Sequence, residues 1–66
     1  AQVVLNAANE ALVARFLAGG LRFTNIPHGV EEMLRQHTPG EPGSIDEVLA
    51  LDEETRHRTE EWMKTR

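Results

Sequence analysis

Two clusters of helix-breaking residues divide this 66-residue chain, and their positions constrain the fold more than any other feature. Gly19-Gly20 is the first, and Pro39-Gly40 with Pro42-Gly43 is the second. A glycine pair ends a helix readily because glycine enters the left-handed conformation without a Cβ penalty. The second cluster breaks helix and strand alike, so His37 to Gly43 reads as a surface loop. The lengths between the breaks carry apolar residues at steps of three and four, the helical period. The expected fold is all-α, a small bundle of three to four helices, in one domain over residues 1–66.

In the first segment Leu5, Ala8, Leu12, Val13, Phe16 and Leu17 follow that period, with Asn6 expected to cap the start. Phe16 falls at the centre of this stripe, which predicts a core residue whose truncation to alanine costs roughly 3 to 5 kcal/mol. Asn9 lies between Leu12 and Val13 in angle, inside the apolar stripe, and is therefore expected to be buried with its amide bonded to protein groups. Asn6, Asn9 and Glu10 together form the one polar cluster with a candidate role, either bonding backbone at a chain junction or meeting a partner surface.

Leu21-Arg22-Phe23 is too short for a paired strand and reads as an extended linker carrying Leu21 and Phe23 into the core. Thr24 is expected to cap a second helix with Pro27 in its first turn, where the missing N–H costs nothing. Ile26, Val30, Met33 and Leu34 form its stripe. Ser44 and Glu47 make a capping box for a third helix faced by Ile45, Val48 and Leu49. Asp52 is the expected cap of a fourth, with Leu51, Thr55, Thr59, Trp62 and Met63 inward; whether these last two are continuous stays open at this stage.

Composition narrows the function classes. The seven basic residues are scattered among eleven acidic ones, for a net charge of −4, which argues against a nucleic-acid surface. With no cysteine there is neither disulfide nor thiolate ligand, which suits a reducing compartment. No apolar run approaches membrane-spanning length. Ala1 stands where an initiator methionine is expected, and a chain this small buries a modest core, so the natural reading is a fragment of a larger protein.

No catalytic, cofactor-binding or metal-ligating residue is identified. His28, His37 and His57 lack the i, i+3 or i+4 pairing that places two ligands on one helical face. Glu31-Glu32, Asp46-Glu47, Glu53-Glu54 and Glu60-Glu61 are adjacent pairs that diverge by about 100° around a helix, unsuited to two-carboxylate chemistry. Ser44 is accounted for by capping. Gly19-Gly20 lacks the residues of a phosphate loop. Trp62 reads as the core anchor of the last segment, with Arg58 one turn earlier available to stack on its ring.

The run Leu5-Asn6-Ala7-Ala8-Asn9-Glu10, then Phe16-Leu17, then Leu21-Arg22-Phe23-Thr24-Asn25-Ile26, resembles the carboxy-terminal helical domain of the 1-deoxy-D-xylulose 5-phosphate reductoisomerase family. Ser44 to Asp52 is similar to that family's capped helix. After Asp52 the family tends to small apolar residues and an Ala-Arg pair, where this chain has Thr55-Arg56 and Thr59. The resemblance implies a parent enzyme that rearranges and reduces its sugar phosphate with NADPH and a divalent metal, magnesium or manganese, in non-mevalonate isoprenoid biosynthesis. It implies a homodimer, located in the bacterial cytoplasm or in a plastid. In that family the metal-ligating carboxylates and phosphate-binding residues belong to the central domain, so none transfers here. The expected partner is the catalytic domain of the parent chain. The rival reading is a free-standing helical module that grips an amphipathic partner helix.

Overall fold

The computed structural model describes residues 2–37, 40 and 42–66. Three helices follow one another: α1 (Gln2–Leu17), α2 (Asn25–Gln36) and α3 (Ile45–Met63), with no strand among the described residues. The third and fourth sequence segments are thus a single helix. Asp52 is not a cap but an interior residue of α3, and its Oδ1 accepts from Arg56 Nε at 2.7 Å, one turn on.

The breaks work largely as the sequence dictates. Gly19 has φ +84°. Its N–H bonds to Phe16 O at 3.0 Å and the Gly20 N–H to Arg15 O at 3.0 Å, the paired bonds of a Schellman stop. Ser44 is extended, and its Oγ accepts from the Glu47 N–H at 3.2 Å. The return half of the expected box differs: Ser44 Oγ donates to Glu47 Oε1 at 3.2 Å. Thr24 does not cap α2; it is already helical in backbone and makes no side-chain cap bond. The Asn25 N–H bonds Arg22 O and the Ile26 N–H bonds Phe23 O, so tight backbone turns replace the hydroxyl. Pro27 does lie in the first turn. Asn6 does not cap α1 either, because the helix already runs from Gln2. Part of the loop, Thr38, Pro39 and Glu41, lies outside the described residues.

Helix α1 packs against both α2 and α3, which meet each other less extensively. The core cluster is Val4, Ala8, Leu12, Leu21, Met33 and Met63, with Ile26, Val30, Leu51 and Trp62 packed on it. Thr55 and Thr59 are buried where α3 faces α1, and Thr59 Oγ1 donates to Thr55 O at 2.7 Å. That bond satisfies the hydroxyl, so a threonine fits where a small apolar residue would also fit. No buried side-chain polar atom among the described residues lacks a partner.

The inward set of α3 matches the expectation from Leu51 onward. Ile45 and Leu49 do not: they are 79% and 59% exposed. Ile45 shares its helical angle with Met63, five turns away, but the neighbours do not cover the first turn of α3. Leu21 is buried, whereas Phe23 is 67% exposed and meets Phe16 edge to face at 5.5 Å. Phe16 is at the rim, not the centre, of the bundle. Arg66, rather than Arg58, stacks over the Trp62 ring at 4.3 Å from its centroid; Arg58 instead pairs with Glu54.

The tightest approach is at Gly29, a buried glycine within α2. A Cβ there would lie 2.7 and 2.8 Å from the Leu12 methyls and 3.0 Å from Trp62 Cζ3. Leu12 is fully buried and cannot swing aside.

Two stability outcomes follow from this geometry. Leu12→Ala is expected to cost about 2 to 5 kcal/mol, and Phe16→Ala less, about 1 to 2, since it forfeits a rim contact and one aromatic pair. Urea titration of both variants gives the order, and a larger loss for Phe16→Ala would contradict this packing. Gly29→Ala should destabilise by about 1 to 3 kcal/mol, although alanine is the better helix former by nearly 1, because overpacking at the junction outweighs propensity. A raised midpoint for Gly29→Ala would show that α2 can retreat freely.

Candidate functional site

The candidate site is a helix face. Around α1 the buried residues Val4, Ala7, Ala8, Ala11 and Leu12 occupy one arc, given a turn of about 100° per residue. Next to that arc, from beside Leu12 round to the far side of the helix, lie Leu5, Phe16, Asn9, Val13, Asn6 and Leu17 in that angular order. Asn6 and Asn9 are exposed, Val13 is half-buried, and Leu5 and Leu17 are 42% and 76% exposed.

Asn9 is therefore not buried, contrary to the sequence expectation. Asn9 does sit among apolar side chains, Leu5, Val13 and Phe16. What differs is the direction of those side chains. Leu5, Val13, Phe16 and Leu17 belong to a second apolar face, and the bundle core takes Val4, Ala7, Ala8, Ala11 and Leu12 instead. A helix apolar on both sides gives no periodicity from which to choose the inward face.

Glu10 stands apart from the two asparagines. Its Oε1 accepts from Arg56 Nη2 at 2.9 Å, tying α1 to α3, and Arg56 also holds Asp52. The bonds to Glu10 and then Asp52 raise the Arg56 pKa, so its charge is permanent. Arg15 makes a second strap to Glu60 at 3.2 Å. Both straps run along the α1–α3 seam. The sequence cluster Asn6, Asn9, Glu10 is thus divided: two amides on the outer face and one carboxylate pinned at its edge.

The remaining ion pairs among the described residues also lie away from that face. Arg35 donates to Glu32 on α2 and Lys64 to Glu61 on α3, bonds that lower each carboxyl below its ordinary pKa. Carboxyls lowered in this way add stability that is present at neutral pH and lost as the solution is acidified through the glutamate range, near pH 4.3. Glu61 is exposed and Glu32 half-buried beside an exposed Arg35, so solvent screens both pairs and the contribution is small. His28 and His57 are exposed, and His37 Nε2 lies 3.3 Å from Gly40 O. Among the described residues no three acidic, histidine or cysteine side chains gather to hold a metal ion, and no helix is long and apolar enough to cross a membrane.

The Arg56 strap gives a third expected outcome. Arg56→Met should cost less than about 1 kcal/mol, shrinking further in salt, because half-exposed pairs are screened. Thermal melts of the wild type and the variant at low and high salt measure it; a larger, salt-independent loss would mean the strap is buried.

Residues 1–58 match the family described as the DXP reductoisomerase C-terminal domain. The chain is 38% identical over 64 residues to the 1-deoxy-D-xylulose 5-phosphate reductoisomerase of Lawsonia intracellularis, covering 97% of this chain and 16% of that protein. It is 44% identical over 63 residues to the enzyme of the same name from Shewanella woodyi, covering 96% and 16%. With the Listeria welshimeri enzyme the identity is 49% over 53 residues, covering 80% and 14%. No solved structure matches the chain. The chain thus spans about one sixth of the length of these relatives, and the match falls on their carboxy-terminal domain, not on a free-standing module. By this match, which includes the segment holding Asn6, Asn9 and Glu10, the chain belongs to the carboxy-terminal domain family of DXP reductoisomerase.

Proposed function

We propose that residues 1–66 are the carboxy-terminal domain of an enzyme that converts 1-deoxy-D-xylulose 5-phosphate to 2-C-methyl-D-erythritol 4-phosphate for isoprenoid synthesis, and that the domain supports the catalytic part without itself reacting. The observation that carries this reading is the family match over residues 1–58. In the parent, an oxidoreductase, NADPH would supply hydride and a divalent metal, magnesium or manganese, would polarise the sugar phosphate.

The described residues of this chain do not fit either group. A dinucleotide needs a glycine-rich turn opening a helix, and Gly19-Gly20 closes one. Among the described residues Glu10, Glu32, Asp52, Glu54, Glu60 and Glu61 are tied to arginines or Lys64, and no three acidic, histidine or cysteine side chains gather to hold a metal ion. Both groups are therefore assigned to the remainder of the parent, which is a homodimer in the cytoplasm or, in a plant or alga, the plastid. Asn6 and Asn9 serve contact with the catalytic domain, Glu10 holds α1 to α3 through Arg56, and none of the three does chemistry.

Calorimetric titration of the purified chain with NADPH, with and without magnesium, should give heats of dilution only, while the chain joined to its upstream reading frame turns over the sugar phosphate. Saturable binding by the chain alone, at roughly micromolar Kd, would place the cofactor site within these residues and overturn the assignment.

A further inference from the structure

We infer that the outer face of α1 is a docking surface, and that its occupant is the upstream part of the same polypeptide, seated on Asn9 at the centre with Leu5, Val13 and Phe16 around it. This inference rests on the reading of the chain as a carboxy-terminal domain and specifies which of its surfaces meets the rest. Three observations carry it.

The first is chemical. Positions 2, 5, 6, 9, 13, 16 and 17 include no charged residue, although 27% of the chain is charged. Ion pairs flank the α1–α3 seam and occupy α2 and α3, yet among the described residues none crosses this face. A solvent-facing helix side normally carries charges, whereas a helix apolar around most of its circumference is one that is covered.

The second is the placing of the amides. Asn9 lies at the middle of the apolar arc with no hydrogen bond to another side chain or to backbone of the described residues. An asparagine side chain offers two N–H donors and a carbonyl acceptor, which suits the free backbone groups of a covering segment. Phe16 and Phe23, packed edge to face, extend the apolar surface past the end of α1.

The third selects the occupant. About five sixths of the length of the relatives lies outside the matched domain, and the domain is carboxy-terminal in the family, so the bulk of their chain precedes α1. A covalently attached surface competes at an effective concentration on the order of millimolar, which a separate second copy does not reach. The face also lacks the charge that would steer a separate acidic or basic partner.

The test uses the full-length enzyme carrying this segment, with single cysteines introduced as Asn9→Cys, Val13→Cys and, as an exposed reference on α3, Glu53→Cys. Alkylation by a maleimide is followed by peptide mass spectrometry, and each rate is divided by its rate in denaturant. Asn9→Cys and Val13→Cys are expected to react roughly tenfold or more slowly than Glu53→Cys, since a covered thiol reacts only on opening. Val13→Cys is nearly isosteric and keeps the test valid if Asn9→Cys disturbs the contact. Equal rates at all three sites, in a preparation that turns over the sugar phosphate, would overturn the docking inference while leaving the functional reading intact. Slow labelling in a full-length protein without turnover would sustain the docking inference and defeat the functional reading. Ready oxidation of Asn9→Cys to a disulfide-linked dimer would overturn the inference in favour of a second copy, because a two-fold interface brings the same residue together.

Discussion

The meeting of Leu12, Gly29 and Trp62 is the contact on which the rest of the bundle depends. One side chain comes from α1, one backbone from α2 and one ring from α3, so this is where all three helices are held at once. The absence of a Cβ at Gly29 lets α2 come close enough to cover the Leu12 methyls, and Leu12 is thereby removed from water. A helix-interior glycine costs helix propensity; here the loss is offset by a packing distance no other residue permits. Once that distance is set, Val4, Ala8, Met33 and Met63 fill the space on either side. Ala7 and Ala11 of α1 and Thr55 and Thr59 of α3 are buried as well, small side chains that let helices approach closely.

Legibility in the sequence followed how local the controlling interaction was. Gly19, Ser44 and Pro27 act within a turn of their own position, and each does what its residue type predicts. Thr24, Asn6 and Asp52 are residues of the same capping class, but backbone turn bonds, a helix that starts earlier and a continuous α3 took the positions they would have filled. Capping propensity is a preference that a neighbouring hydrogen bond overrides. The inner set Leu51, Thr55, Thr59, Trp62 and Met63 was legible because α3 beyond Leu51 is polar on its other sides. Gly29 was not, since nothing in its immediate sequence marks a buried contact that forms only when three helices meet.

The misjudged face of α1 has a different cause. Leu5, Val13, Phe16 and Leu17 are as apolar as Val4, Ala8 and Leu12, so periodicity alone merges two arcs into one stripe. The larger side chains lie on the outer arc and the smaller ones largely on the inner, the reverse of what size alone suggests. Close helix packing resolves the ambiguity: alanines let backbones approach, while Phe16 in the same place would hold them apart. The segment most specific to the family, Leu5 to Glu10, therefore spans both arcs, with Ala7 and Ala8 serving the bundle and Leu5, Asn6 and Asn9 facing outward.

Size gives that outer face a thermodynamic meaning. A core cluster of six buried side chains, one of them alanine, leaves little surplus over the entropy of ordering a chain this short. Any surface that binds only the folded bundle stabilises it by mass action, and covering Leu5, Val13 and Phe16 removes apolar area that the three helices leave wet. In the proposed docking, folding of the domain and its attachment are coupled through one helix, α1, whose inner arc builds the core and whose outer arc would carry the contact. A residue on either arc acts on both. This is why the uncharged surface and the thin core are two aspects of one arrangement: the bundle is stable to the degree that α1 is covered on both sides.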